Sequence, residues 1–305
     1  MDENSGSELL YLDNPELNQP VMIMGFSGWP NAGEISSGVL SFLLHHLKAN
    51  PLASVKADSF FDFTSLRPEA TIVNGLAGRA VPPKNEFFYV KGDGEAQDLI
   101  LFLGNEPHLR WDVFVDLVIG LSESYGVKRI YTLGGTYDYF PHWLEPSISI
   151  VFSDEGLKSA FDSLLDLENL NTAEYSGPIS IHNAILTRAR ERGFPIIGLW
   201  GHAPYYIHTG NFRVHLSLIN ILTQVIDFKI NTKDLHESIK DMDSKIADLM
   251  KENPKLREFI RELEEEYGLQ TRRPAPASLM GSDHPPRGKV ISIDEFLKRE
   301  KSHSE

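Results

Sequence analysis

Short apolar runs recur from residue 20 to about residue 228 and alternate with longer helix-like segments. Each run is apolar at consecutive positions, which predicts strands covered on both faces, as in a mainly parallel sheet. Strands that alternate with helices in this way indicate an α/β protein with a three-layer α/β/α architecture. The predicted strands are Val21–Phe26, Leu99–Leu103, Arg129–Leu133, Ile148–Phe152 and Ile196–Trp200. The predicted helices are Val39–Leu47, Trp111–Tyr125, Leu157–Leu165, His182–Arg192 and Val214–Phe228.

The segment Val55–Val90 breaks this alternation. Three apolar stretches within it predict antiparallel or edge strands, at Phe60–Phe63, Thr71–Val73 and Phe87–Val90. Arg79–Glu86 is a polar loop that two prolines stiffen. One interpretation of this loop is an ordinary connection, and the other is a specificity loop or an interface arm.

The pattern changes after Asn231. Apolar residues now recur at intervals of four and three, which predicts a narrow stripe on each of two helices, roughly 232–251 and 254–267. Pro254 fits this prediction because the first turn of a helix tolerates proline. The stripe either packs on its own domain or forms a helical hairpin that contacts another subunit. Its residues, the candidate interface, are Leu235, Ile239, Met242, Ile246, Leu249, Leu256, Ile260 and Leu263.

These patterns divide the chain into four parts. A short segment, 1–19, precedes an α/β domain, 20–230, and amphipathic helices follow at 231–268. The last part, 269–305, is rich in proline, and its composition predicts disorder. Within it, Ile291–Leu297 is a candidate docking segment.

Composition narrows the classes of partner and chemistry. The chain has 305 residues, a net charge of -14 and a pI near 5.2, which argues against nucleic acid or an anionic membrane as a partner. The absence of cysteine excludes disulfides, thiolate catalysis and cysteine zinc sites. No apolar run of about 18 residues predicts a membrane span, and the acidic first residues are unlike a signal peptide. We therefore expect a cytoplasmic protein.

A glycine-rich turn follows the first predicted strand. Gly28 and Gly33 have the spacing of a phosphate-binding loop, G-x-x-x-x-G-K-[ST]. However, Glu34 stands in place of the lysine and Ile35 in place of the hydroxyl residue. A carboxylate in the first turn of a helix suits the helix dipole and repels a phosphate. The segment is therefore predicted to be a strand-to-helix turn, not the nucleotide site of a kinase or ATPase.

Polar and glycine residues also follow two later strands. In an open α/β sheet, ligands bind in the crevice beyond the carboxyl ends of the strands. The glycines there either form sharp turns or let the backbone approach a ligand, and a glutamate near a histidine suits acid–base chemistry. Because adjacent polar loop residues are common, no catalytic residue is assigned. The candidate crevice residues are Gly28, Asn31, Gly33, Glu106, His108, Gly134, Gly135, Thr136 and Asp138.

The eleven histidines do not predict a metal site. His202, His208 and His215 lie near one another in the chain, but nothing in their spacing makes them converge. The chain also lacks the G-x-S-x-G and G-x-G-x-x-G motifs of hydrolases and dinucleotide-binding proteins. We therefore predict no metal and no cofactor.

Taken together, five stretches resemble the PAC2 family, which is named for a proteasome assembly chaperone. They are Gly25–Gly33, Arg110–Gly120, Leu133–Thr136, Ser176–Ser180 and Pro204–Tyr206. The resemblance covers roughly residues 20 to 268. It implies a phosphorylase/hydrolase-like α/β/α fold and assembly into oligomers. For some members it also implies binding to proteasome α subunits.

Two classes of function follow. The first is a non-catalytic, self-assembling scaffold or assembly chaperone, with proteasome subunits or another protein complex as partner. The absent catalytic motifs and the amphipathic C-terminal helices favour it. The second is a small-molecule enzyme that resembles nucleoside phosphorylases in fold, or an ATP-grasp-like ligase. No phosphate-binding lysine or pair of magnesium carboxylates is assigned for the ligase.

Overall fold

A computed structural model describes residues 8–94, 96–162, 169–270 and Ile293. The described residues form eleven strands and seven helices. The strands are β1 (Leu9–Tyr11), β2 (Val21–Ser27), β3 (Asn50–Val55), β4 (Ile72–Val73), β5 (Leu76–Ala77), β6 (Asn85–Val90), β7 (Leu99–Asn105), β8 (Ile130–Asp138), β9 (Ile148–Phe152), β10 (Leu170–Thr172) and β11 (Ile196–Pro204). The helices are α1 (Ile35–His46), α2 (Trp111–Ser124), α3 (Glu155–Asp162), α4 (Ile181–Arg192), α5 (Phe212–Val225), α6 (Lys233–Glu252) and α7 (Pro254–Gln270).

Nine of these strands form one mixed sheet, in the order β1-β3-β6-β7-β2-β8-β11-β9-β10. The four central strands, β7, β2, β8 and β11, run parallel. Antiparallel pairs flank them on both sides, through β6 next to β7 and β9 next to β11. The central strands are buried on both faces, as their uninterrupted apolar sequences predict.

Helices cover both faces of the sheet and complete the predicted three layers. One core cluster lies between the sheet and α2 with α4, and contains Phe26, Phe102 and Phe114. A second lies between the opposite face and α1 with α5, and contains Ile23 and Leu133. The α/β/α prediction is therefore confirmed. Within the described part of the chain, none of the helices is long and apolar enough to cross a membrane.

The segment before β6 differs from its prediction. Phe60–Phe63 is not a strand, because Asp62 accepts hydrogen bonds from the backbone N–H and the hydroxyl of Thr64 and turns the chain. Its apolar character instead reflects burial of Phe60 and Phe61 in the first core cluster. Part of the predicted strand Thr71–Val73 forms β4, which pairs with β5 in a hairpin separate from the nine-stranded sheet.

Other boundaries differ in extent. Two predicted strands, β8 and β11, continue four or more residues past their predicted ends, because they pair in register as far as Asp138 and Pro204. The helix α1 begins at Ile35, four residues before the prediction. The strands β1, β3, β5 and β10 were not predicted, and β1 brings part of the N-terminal segment into the sheet. The predicted end of the third helix at Leu165 and the tail beyond α7, apart from Ile293, lie outside the described residues.

Candidate functional site

The carboxyl ends of β7, β2, β8 and β11 meet at one edge of the sheet, because these strands run parallel. This edge, called here the carboxyl edge, is where an open α/β sheet binds ligands. The nine candidate crevice residues all lie along it. Gly28, Asn31 and Gly33 follow β2, and Glu106 and His108 follow β7. The other four form the end of β8 itself, which corrects their placement in a loop: Gly134, Gly135, Thr136 and Asp138.

The glycine-rich turn after β2 packs on the sheet. The Asn31 side chain accepts a hydrogen bond from the Ser37 N–H at 3.0 Å and donates one to the Ser37 hydroxyl at 2.8 Å. Gly33 has a left-handed φ of 62°, and a β-carbon there would lie 2.8 Å from a side chain of β11. A β-carbon on Gly135 would overlap the carbonyl oxygen of Ala32. Gly33 thus allows the turn to pack closely on side chains of β11 and its neighbour Asn211, and Gly135 allows the backbone of β8 to approach the backbone of the turn. This close packing favours the turn over a ligand-binding loop.

Glu106 occupies the N-terminal end of α4. Its Oε1 accepts a hydrogen bond from the N–H of Ile181 at 2.9 Å, and its carboxylate also accepts one from the N–H of Trp29. Burial raises the pKa of Glu106, and the two backbone donors offset only part of that rise. The Ser180 hydroxyl caps the same helix by accepting from the N–H of His182 at 3.2 Å. The side chains of Glu106 and Ser180 therefore accept hydrogen bonds from the backbone N–H groups at the start of α4. A substrate phosphate at this helix would need the same N–H groups.

His108 forms no acid–base pair with Glu106. Its Nδ1 accepts a hydrogen bond from the N–H of Asp62 at 3.2 Å, and its ring contacts Phe61 edge-on at 5.6 Å between centroids. Glu106 is directed to α4 instead. The two side chains that the sequence suggested for acid–base chemistry thus bond to different partners, and their interaction with each other is electrostatic, with His108 the smallest of the influences on the pKa of Glu106.

Three side chains at the carboxyl edge form a hydrogen-bonded relay. His202 Nδ1 lies 2.8 Å from Asp138 Oδ2, and His202 Nε2 lies 2.8 Å from the Ser149 hydroxyl. The three residues come from β11, β8 and β9, and only Asp138 was predicted. The relay depends on register, because His202 pairs with Thr136 across β8 and lies two residues beyond the partner of Ser149 on β9. No local motif links His202 to Ser149 or Asp138, so sequence reasoning considered His202 for a metal site alone and missed the relay.

The relay has the residue types of a Ser-His-Asp triad but a different pattern of burial. In such hydrolases the serine hydroxyl meets the substrate and the carboxylate is buried behind the histidine. Here Ser149 is only 5% exposed, whereas the Asp138 side chain is 33% exposed. Burial alone would raise the pKa of Asp138, but the hydrogen bond and charge of His202 lower it overall. We interpret the relay as a link between three strands.

His182 is a second polar residue that the fold uses as a core residue. It is fully buried between Phe26 and Trp200, with ring centroids 5.3 and 5.2 Å away. Neither ring nitrogen has a hydrogen-bond partner in the part of the chain that the structure describes. Burial lowers its pKa to about 3, so the ring is neutral. It therefore packs as an aromatic side chain.

The histidines that the structure describes do not converge on a metal site. Among the described residues, no three His, Asp or Glu side chains form a group that would hold a metal ion. His215 lies beneath α1, where Gly38 leaves room for its ring, and burial lowers its pKa to about 4. His202 belongs to the relay instead. The prediction of no cofactor stays a prediction.

The candidate interface stripe is covered within the chain. Seven of its eight residues are buried and Met242 is half-buried. Leu235 joins the core cluster beside α5. From Ile246 onward the stripe packs in a third apolar cluster with Tyr206 and Ile207. This arrangement is the one in which the helices pack on their own domain, and a contact with another subunit through the stripe stays a prediction.

Polar contacts also hold α6 in place. Arg213 donates a hydrogen bond to Asp243 on α6 at 2.8 Å and another to the carbonyl oxygen of His142 at 3.0 Å. A cavity of about 30 Å³ beside Asp243 has room for a water molecule.

Of the candidate docking segment, only Ile293 is described: it is buried in the third cluster, and its N–H donates to Tyr206 O at 3.1 Å. Both contacts tie the C-terminal part to the α/β domain.

Comparisons with known proteins agree with this architecture. The PAC2 family model matches residues 25–250. A PAC2 family protein from Streptomyces avermitilis is 28% identical, with a TM-score of 0.69, over 79% of this chain and 99% of that one. A proteasome-assembly chaperone homologue from Mycobacterium tuberculosis is 22% identical, with a TM-score of 0.70 and the same coverage. PbaB, an archaeal proteasome activator from Pyrococcus furiosus, is 20% identical, with a TM-score of 0.63, over 79% and 98% of the two chains. None of the curated proteins is significantly similar in sequence.

Proposed function

This chain belongs to the PAC2 family, and we propose that it is a non-catalytic, self-assembling protein that holds subunits of a larger complex during assembly. One observation carries the proposal. The carboxylate of Glu106 occupies the amides of α4 at the place where an enzyme of this architecture would bind a substrate anion. The crevice is thus built as a structural contact.

The proposed partner is a protein complex, the proteasome or another. The Mycobacterium tuberculosis neighbour is named as a proteasome-assembly chaperone homologue, and PbaB as a proteasome activator. Both names support a partner made of protein subunits. A homo-oligomer is part of this proposal, because a scaffold that carries the same binding face several times engages a ring of subunits with greater avidity. Location in the cytoplasm stays a prediction.

A nucleoside-phosphorylase-like or ligase activity gains no support. Glu106 and His108 are engaged in separate contacts, and Asn31 is bonded to Ser37. The relay through His202 keeps its serine buried. Asn31, Glu106 and His108 thus each have a structural use, and Asp138 takes part in the relay.

Assembly of proteasome rings from separately purified subunits of the source organism tests the proposal. We expect the chain to co-migrate with α subunits in native mass spectrometry and to speed the appearance of assembled rings. Glu106→Gln is the matched control, because it removes the carboxylate at the crevice and keeps a side chain of nearly the same size and shape. It should assist assembly as well as the wild type does. An unchanged assembly rate with the chain migrating alone, or loss of assistance in a fully folded Glu106→Gln variant, would contradict the proposal.

A further inference from the structure

The β4–β5 hairpin projects from the domain as an arm. Every residue from 69 to 82, the segment called here the arm, is exposed. Glu69 and Val81 close its base with two backbone hydrogen bonds of 2.9 and 2.7 Å. Asn74 and Gly75 form its tip with φ angles of 50° and 79°. A pair of left-handed residues of this type, Asn-Gly, favours a tight hairpin turn. The arm is therefore encoded locally.

The arm displays apolar side chains that its own domain does not cover. Leu76, at the tip, is 76% exposed, and Ile72, Val73 and Val81 are exposed as well. A two-stranded hairpin on its own is marginally stable in water. Contiguous exposed apolar side chains mark protein contact sites. The arm thus has the character of a segment that is completed by packing on another molecule.

A second exposed apolar surface lies at the carboxyl edge. Trp29, Leu109 and Ile179, called here the rim, are each about half exposed. Glu106 brings them together, because it bonds to the N–H of Trp29, binds Ile181 two residues after Ile179, and lies three residues before Leu109. The rim is thus one neighbourhood around the N-terminal end of α4.

The arm and the rim begin at the same edge of the sheet. Lys84, just after the arm, accepts a hydrogen bond from the side chain of Asn105 at the end of β7. Asp62, before the arm, donates its N–H to His108 beside the rim. Although both surfaces start here, the arm residues stay exposed and do not fold back onto the rim of their own chain.

Charge favours a second copy as the occupant. From 67 to 84, the arm and its flanks carry three basic residues and one acidic residue, whereas the whole chain carries 29 basic and 43 acidic residues. Beside Leu109 the charge of Arg110 is paired with Glu8 at 2.9 Å. The other charged neighbours of the rim are acidic: Asp112 is exposed, and hydrogen bonds from Thr64 and then Ser65 lower the pKa of Asp62 to about 2, which keeps it ionised. Within the arm Glu69 and Arg79 balance, and the excess of positive charge comes from its flanks, Arg67 and Lys84. The apolar arm with its basic flanks therefore complements the apolar rim and its acidic neighbours on an identical chain.

We infer that the arm of one copy packs across the rim of a second copy, so that two chains exchange arms. The inference rests on the self-assembly in the proposed function and names the surface that carries it. Because both halves of the contact are present on every chain, a twofold arrangement satisfies both at once.

The absence of cysteine gives a direct test. Full-length Leu76→Cys protein is mixed with full-length Ile179→Cys protein and treated with a short bifunctional maleimide. Leu12→Cys mixed with Ile179→Cys is the control, because Leu12 is an exposed leucine outside the arm and the rim. We expect a cross-linked dimer from the first mixture and none from the control. Leu76→Cys copies that cross-link only to each other, or no cross-link in the first mixture, would overturn the inference.

Oligomer mass gives an independent measurement. The double variant Ile72→Ser, Leu76→Ser should weaken self-association at least tenfold in sedimentation, and Leu12→Ser should leave it unchanged. Both arm positions are exposed, so the domain is expected to stay folded. Unchanged self-association in the arm variant would also overturn the inference, as would a wild type that is monomeric throughout. Arm cross-links without any binding of complex subunits would refute the proposed partner role alone.

Discussion

Leu256→Ala measures how the C-terminal helices are held. Leu256 lies on α7, is fully buried, and packs in the third apolar cluster with Tyr206 and Ile246. The substitution removes three carbon atoms from that cluster and leaves the helix propensity of the position high. Leu12→Ala is the matched control, because it is the same substitution at a side chain that is 54% exposed.

The expected magnitude follows from burial. Three methylene equivalents at about 0.8 kcal/mol each give roughly 2.4 kcal/mol of lost transfer free energy. The cavity left behind adds to this, and buried Leu→Ala changes cost about 3–5 kcal/mol where the surroundings do not collapse. α7 is the last described helix and can shift toward the cavity, so we expect about 3 kcal/mol. The control should change the free energy of unfolding by less than about 0.5 kcal/mol.

Urea unfolding followed by circular dichroism, at low and high protein concentration, is the assay. If the stripe is covered by its own domain, the loss in Leu256→Ala is the same at both concentrations. If the stripe instead joined two chains, the loss of unfolding free energy would differ between the two protein concentrations, because the stability of a dimer depends on the concentration of its protomers. A loss below about 1 kcal/mol, or one that depends on concentration, would refute the assignment of these helices to their own domain.

Three further predictions concern the carboxyl edge. The pKa of Glu106 is raised from its ordinary value of 4.5, so its contribution to stability is full below that value and is lost as pH rises through the folded pKa. As pH rises, the melting temperature of Glu106→Gln should therefore fall less than that of the wild type. The pKa of Asp138 is shifted in the opposite direction. Because it is lowered from 3.8, its contribution to stability is full above pH 3.8 and is lost as pH falls through the pKa of the folded state. Asp138→Asn should cost about 1 kcal/mol at neutral pH and reduce acid sensitivity in the same profiles. Gly135→Ala should destabilise by about 1–3 kcal/mol because its β-carbon meets Ala32, whereas Gly120→Ala, in open space on α2, should stabilise by up to about 1 kcal/mol. Equal effects of the two glycine substitutions in urea unfolding would contradict this account.

Several features of the fold could be predicted because they are local. The strands of the central sheet are apolar at consecutive positions, and this pattern itself reports burial on both faces. The sequence also predicted that the glycine-rich turn is not a nucleotide site, because Glu34 and Ile35 stand in place of the lysine and hydroxyl residue that a phosphate-binding loop requires. The prediction of a strand at Phe60–Phe63 was wrong, because an apolar run indicates burial and not backbone conformation. Asp62 sets the backbone conformation here through its hydrogen bonds.

The relay and the role of Glu106 could not be predicted, because they depend on contacts between distant elements. Asp138, Ser149 and His202 meet only after β8, β9 and β11 pair in a particular register. Glu106 reaches α4 only because β7 ends beside the N-terminal end of that helix. Neither relation leaves a spacing signal in the chain.

The sequence by itself determined the alternation of strands and helices, the family resemblance, the acidic charge and the absence of cysteine, since each is a property of composition or short-range pattern. The tertiary structure decided which apolar surfaces remain free. Periodicity marked the C-terminal stripe as apolar without saying what covers it, and folding buried it against Tyr206 and Ile207. The same folding left the hairpin around Leu76 exposed. Burial of an apolar side chain is favourable whether its own domain or a partner covers it, because the hydrophobic effect is non-directional. Only the packed structure therefore distinguishes core from contact surface.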